Sequence, residues 1–129
     1  MARRLGLATV SVDRLVSSPA QRALITAQTL ATRINYDPKQ IIEEPLLYFA
    51  GVNTSLQLIQ STDSSCSSLM LVGHNPDMTS LLNLLCGYQV SNMPTCSIAS
   101  IQFKSEWSEV QANSGFLFDY DFPKNPRHL

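Results

Sequence analysis

"LMLVGHNPDMTSLLNLL", residues 69–85, decides how the rest of the chain is read. The run "SLMLVG" is apolar on both faces, as a strand buried in a parallel sheet is. "PDMTSLLNLLCG" then resumes with helical spacing until Gly87 ends it. At the junction Asn75 is placed to cap the helix, Pro76 to take its first position and Asp77 to sit in its first turn. His74 therefore lies at the carboxyl end of a strand, beside the unpaired N–H groups of a helix start. Ligands of open α/β sheets bind at that end. A histidine that only packs would say little about function, whereas a histidine at a phosphate site requires a second part of the site elsewhere.

"DRLVSSPAQRALITAQTLATRI" repeats the layout. Leu15 and Val16 form a strand core, Ser18 is placed at a helix N-cap, Pro19 at the first helical position and Gln21 three residues after the cap. Ala23, Leu24, Ala27, Leu30, Ala31 and Ile34 then recur at three- and four-residue steps and make one apolar stripe. Asp37-Pro38 closes the helix. Both helix starts would present N–H groups and positive dipole ends to one crevice. Arg22, one turn into the first helix, adds a planar fork suited to bidentate phosphate binding. The alternatives are a hydrogen-bonded packing histidine and an arginine whose stem lies on apolar surface.

The remaining segments extend the pattern. "QIIEEPLLYFAG" holds a brief strand at Ile41 and Ile42 and an irregular apolar loop to Gly51. "VNTSLQLIQ" reads as a short helix and "STDSSCSS" as a loose polar connection. "SIASIQF", "SEVQA" and "GFLFDYDF" are short and β-rich, an antiparallel edge on the sheet. The fold class expected is a three-layer α/β/α domain over residues 1–122, with a mostly parallel sheet, followed by a tail at 123–129.

Composition narrows the function. The 129 residues carry a formal net charge of −1 and 15% charged residues, without the basic excess of a phosphate-backbone binder, so nucleic acid is not an expected partner. Cys66, Cys86 and Cys96 suggest no disulfide framework, and with only His74 and His128 beside them no metal site is expected. A reducing cytoplasm is the expected location. No run approaches the ~20 apolar residues of a membrane helix. "MARRLGLATVSVD" reads as the end of an amphipathic helix rather than a signal peptide.

"SSPAQRALITAQTLA" and "LMLVGHNP" together resemble two signatures of the histidine phosphatase superfamily, the phosphoglycerate mutase-like proteins. With "EEPLLYFAG" between them and "MPTCSIASIQF" after, the chain is most similar to the SixA group of small phosphohistidine phosphatases, from about Met1 to Phe118. The resemblance implies that Arg22 clamps the phosphoryl group and that His74 hydrogen-bonds it and stabilises transition-state charge, as catalytic residues. Ser18 and Asn75 join them as expected phosphate-binding residues. The implied substrate is a phosphorylated protein histidine or a small phosphorylated molecule, with no cofactor.

One family element is missing. The superfamily begins with an apolar strand ending in Arg-His-Gly, whose histidine accepts the phosphoryl group, and nothing precedes "MARRLGL" here. Arg127-His128 shares two letters of the motif but sits in the tail after Pro126. A late start codon, a polypeptide without its first segment, or a truncated protein that covers its open sheet edges by oligomerising would each account for this, the first two being preferred. The chain is then expected to be inactive or nearly so. Many relatives carry a proton-donating acid in the loop where "LYFAG" places Phe49, with Glu43 and Glu44 slightly upstream and read as solvated charges; without an acid, a good leaving group such as the protonated imidazole of phosphohistidine is favoured. The competing functions are a non-catalytic phosphohistidine-binding module and a broad phosphomonoesterase in which Glu43 or Glu44 reaches the leaving group.

Overall fold

The first strand–helix unit forms where its apolar pattern places it. In the computed structural model, which describes residues 11–94 and 97–121, β1 (Arg14–Ser17) leads into α1 (Gln21–Arg33). The expected helix end at "MARRLGL", the 123–129 tail and Arg127-His128 lie outside the described residues. Pro19 stays outside α1, so the helix begins later than a Ser18 cap predicts. The Ser18 hydroxyl accepts from the Ala20 N–H at 3.2 Å, inside the turn rather than in the helix. Ala23, Ala27, Leu30, Ala31 and Ile34 of the stripe are buried. The small residues let α1 lie close to the sheet, while Leu30 and Ile34 reach Met70, Val72 and Ile98. Each of those two larger side chains contributes about 1.5–3 kcal/mol by leaving water.

β2 (Ile42–Glu43), β1 and β3 (Leu69–Val72) form a parallel sheet in the order β2-β1-β3. α2 (Val52–Gln60) and α3 (Asp77–Cys86) cover its second face. Alternation along β3 sorts the layers: Leu69 and Leu71 pack with Ile59, Leu81 and Leu85, while Met70 and Val72 pack with α1. The three layers are those expected. β3 itself is only half-buried at every position, unlike the fully buried strand its sequence suggests, because among the described residues it pairs with β1 alone. Gly87 ends α3 at φ 75°, a left-handed position where a Cβ would also collide with the Asn113 side chain.

β4 (Ile98–Phe103) and β5 (Gly115–Asp121) pair antiparallel as a sheet of their own among the described residues. Ile98 meets the α1 layer and Ile101 and Phe103 meet the α2–α3 layer, so helices on both faces reach from β3 to β4. A register shift at Ser100/Ile101 leaves Phe118 bulged out of the ladder, and Phe116 and Phe118 face solvent.

Two expectations are corrected here. "SEVQA" is not β-structure: Trp107–Glu109 forms a 3-10 turn, its indole N–H donating to the Cys66 carbonyl at 2.6 Å while Val110 is fully buried. Plugging these side chains into the core displaces a ladder. "STDSSCSS" is not a loose connection. The Asp13 carboxylate accepts from Ser67 N–H at 2.7 Å, and Asp63 accepts from Ser65 N–H at 2.8 Å. The Ser65 backbone N–H, then its hydroxyl, hold the Asp63 carboxyl below the usual carboxylate range. Cys66 and Cys86 are free, and burial pushes the Cys86 thiol up.

Candidate functional site

Parallel register sets Ser17 opposite Val72, so the chain leaves β1 and β3 at one level. Ser18 N–H donates to the Val72 carbonyl at 2.8 Å, which carries the ladder one residue past β1. Beyond it the Ser18 Oγ lies 2.8 Å from His74 Nε2, joining residues 56 apart in sequence. Ser18 is fully buried. Its hydroxyl has one proton and two acceptor positions, so it can serve the Ala20 N–H and either tautomer of His74 together.

The imidazole is also clasped by two rings. Phe49 stacks on His74 with centroids 4.8 Å apart and planes at 21°, and Tyr48 meets it edge-on at 5.3 Å and 86°. Phe49 has φ 57°, a left-handed backbone that bulky residues seldom adopt. The loop is held there because Gly51 N–H donates to Asp77 Oδ2 at 3.0 Å, tying the segment after β2 to the start of α3.

Asn75 bonds the first turn of the helix, as its place before Pro76 leads one to expect. Its Oδ1 accepts from Thr79 N–H at 3.2 Å and from the Thr79 hydroxyl at 2.8 Å, and its Nδ2 donates to the Met93 carbonyl at 2.9 Å. Met93 N–H completes the ring by donating to Thr79 Oγ1 at 2.9 Å. With both amide atoms engaged, Asn75 ties the first turn of α3 to the segment before β4. Pro76 flanks the helix rather than beginning it. Gly73 leaves room for Met78, whose terminal methyl would lie 3.0 Å from any added Cβ.

Arg22 is the second residue of α1 and is exposed. Its carbonyl accepts from the Thr26 hydroxyl at 3.1 Å, and its guanidinium makes no hydrogen bond or ion pair with a described residue. Of the four residues expected at the site, the fold joins Ser18 to His74, engages Asn75 with Thr79 and Met93, and leaves the Arg22 fork exposed in the first turn of α1. Glu43 is exposed on β2. Glu44 spends its carboxylate on Leu46 N–H at 3.1 Å, capping the Pro45–Leu47 turn.

No family model matches the chain, and no curated protein matches it. Solved structures do. The protein histidine phosphatase SixA complexed with tungstate aligns with a TM-score of 0.76 and 23% identity, over 92% of this chain and 74% of that one. The SixA protein of Agrobacterium tumefaciens aligns with a TM-score of 0.78 and 27% identity, over 95% and 75% of the two chains. That of Nakamurella multipartitia gives 0.73 and 19%, over 96% and 80%. The fold is that of the SixA-type histidine phosphatases.

Within this SixA-type fold, the described residues include no cluster of three His, Cys, Asp or Glu that could hold a metal ion, and no helix long and apolar enough to cross a membrane. Sequence reasoning missed the ring contacts of Tyr48 and Phe49, the Asp77 tether and the role of Thr79. Asp77 carried a signal as an acid at a helix start, and Phe49 through its place in "LYFAG". The others depend on contacts between distant segments.

Proposed function

We propose that this domain binds the phosphoryl group of phosphohistidine at His74 and Arg22, with the buried Ser18 hydroxyl orienting the imidazole, and is a phosphohistidine phosphatase when an acceptor histidine is supplied. The observation that carries this reading is the 2.8 Å bond between Ser18 and His74, which unites the two strand–helix junctions at one point. Arg22, exposed in the first turn of the helix that follows Ser18, would bring its planar fork to two phosphoryl oxygens. The SixA relative complexed with tungstate supports an oxyanion ligand, since tungstate is one.

Catalysis would proceed in two steps. An acceptor imidazole nitrogen forms a bond to phosphorus as the substrate's phosphorus–nitrogen bond breaks, the bonding pair leaving with the substrate imidazole. Water then attacks phosphorus, releasing phosphate and restoring the acceptor. His74 and Arg22 would stabilise the charge on the transferring group. The 129 residues contain no Arg-His-Gly, their histidines being His74 and His128. The chain by itself is therefore proposed to bind without turning over.

Two measurements test this. Inorganic phosphate titrated into the chain should perturb His74 and Arg22, and His74→Ala should weaken the binding. A chain extended at its N-terminus by an apolar strand ending in Arg-His-Gly should release phosphate from a phosphohistidine peptide, where the 129-residue chain does not. Equal release by both would remove the acceptor from the proposal. Binding without turnover in the extended chain would instead establish a binding module without catalysis. The commitment of Glu44 to a turn weighs against a general phosphomonoesterase, for which sugar phosphates would be hydrolysed as fast as the peptide.

A further inference from the structure

The wall beside His74 is lined by rings rather than acids. Tyr48 and Phe49 touch His74, yet 55% and 52% of their surfaces remain exposed. Their own centroids are 4.9 Å apart with planes at 79°, so the pair presents one face and one edge in a fixed step. That step is not a casual loop arrangement. Phe49 occupies a left-handed backbone, Gly51 follows at φ 98°, and the Asp77 carboxylate anchors the Gly51 N–H at 3.0 Å.

The geometry points to Tyr48 and Phe49 as specificity-determining residues that receive the flat ring carrying the phosphoryl group. The inference rests on the phosphate reading of Ser18 and His74. Glu44 caps its own turn and Glu43 is exposed on β2, so the loop facing His74 offers a departing group no described carboxylate from its own residues. A leaving group suited to such a wall needs no proton from the enzyme and gains from an aromatic face. Imidazole bonded to phosphorus through one nitrogen and protonated on the other meets both requirements, as a planar cation attracted to a ring within about 6 Å. A sugar or alkyl alcohol meets neither.

The experiment compares ligands that differ only in the ring, on the 129-residue chain by calorimetry, with inorganic phosphate as reference. The unaltered protein should bind phenyl phosphate about fivefold to tenfold more tightly than methyl phosphate, the scale of one aromatic stack. Phe49→Asn removes the ring with a residue that tolerates the left-handed backbone, and should bring that ratio close to one. Phe49→Tyr should preserve it. A phosphohistidine peptide should lose affinity to Phe49→Asn as phenyl phosphate does. The absence of ring preference in the unaltered chain, or its survival in Phe49→Asn, overturns the proposal. Equal weakening of all ligands would show that Phe49 only steadies His74, and would overturn it too. Failure of the unaltered chain to bind inorganic phosphate defeats the underlying phosphate reading, which is a separate result.

Discussion

The two strand-to-helix junctions look alike on paper and do different work. Each has a small turn, a proline and an amphipathic helix. At Ser17-Ser18-Pro19 the turn points its hydroxyl into the site, and the first helical residues leave Arg22 exposed. At His74-Asn75-Pro76 only the histidine faces that site, while Asn75, Asp77 and Thr79 fasten neighbouring loops to the start of α3. One junction turns its side chains to His74 and to solvent, the other mostly to neighbouring loops. The difference teaches that a shared local motif fixes where a backbone turns, while the surroundings decide what each polar side chain meets.

Mutations can break this division of labour. The largest effect expected is on chemistry: in a chain extended with the Arg-His-Gly strand, His74→Ala should lower turnover of a phosphohistidine peptide by about 10² or more. Undiminished phosphate release would take His74 out of the mechanism. Thr79→Val next leaves the Met93 N–H without a partner and takes one of two donors from the Asn75 side-chain oxygen, which keeps the backbone N–H of residue 79, and should cost about 1–3 kcal/mol in urea unfolding. Phosphate affinity should barely change, and a parallel loss of affinity would show that the second junction is not mainly structural.

Ser18→Ala tests the first junction in the opposite sense. Losing the hydroxyl that serves Ala20 and His74 should weaken phosphate binding about fivefold, or about 1 kcal/mol. Full affinity in a calorimeter would leave Ser18 a helix-turn residue only. Asp77→Ala frees Gly51 and removes an acid from a helix start, for which roughly 0.5–1 kcal/mol of stability is expected. Its thermal midpoint should fall accordingly, and no change would mean the tether is idle.

The smallest effect lies away from both junctions, at Asp63. The Ser65 hydrogen bonds lower its pKa in the fold, so its stabilisation is present above the unfolded value of about 3.9 and is lost as pH falls through the folded one. The stability difference between the protein and Asp63→Asn should therefore be full at neutral pH and shrink below about pH 4. A difference that stays constant across that range would assign it to something other than the carboxylate.

Much of the fold was legible because burial imposes periodicity. The stripe of α1, the "VNTSLQLIQ" helix and the β3–α3 unit all announce themselves by spacing, since each must turn an apolar face inward. "SEVQA" misled because β-propensity in a short run yields to tertiary packing, here the seating of Trp107 and Val110. The site was half legible. That Ser18 and His74 lie on one crevice could be read from their junctions, whereas the bonds of Asn75 to Thr79 and Met93 could not. A capping amide and a phosphate-binding amide have the same local sequence.

The sequence by itself determined the order of strands and helices, the three-layer class and the two helix starts that frame the site, because these follow from periodicity and capping within a few residues. Only the tertiary structure decided that Ser18 meets His74, that Phe49 and Tyr48 enclose the imidazole, and that Asn75 turns to Met93. Those contacts join segments far apart in the chain, and no local preference encodes which distant partner a side chain will find once the layers pack.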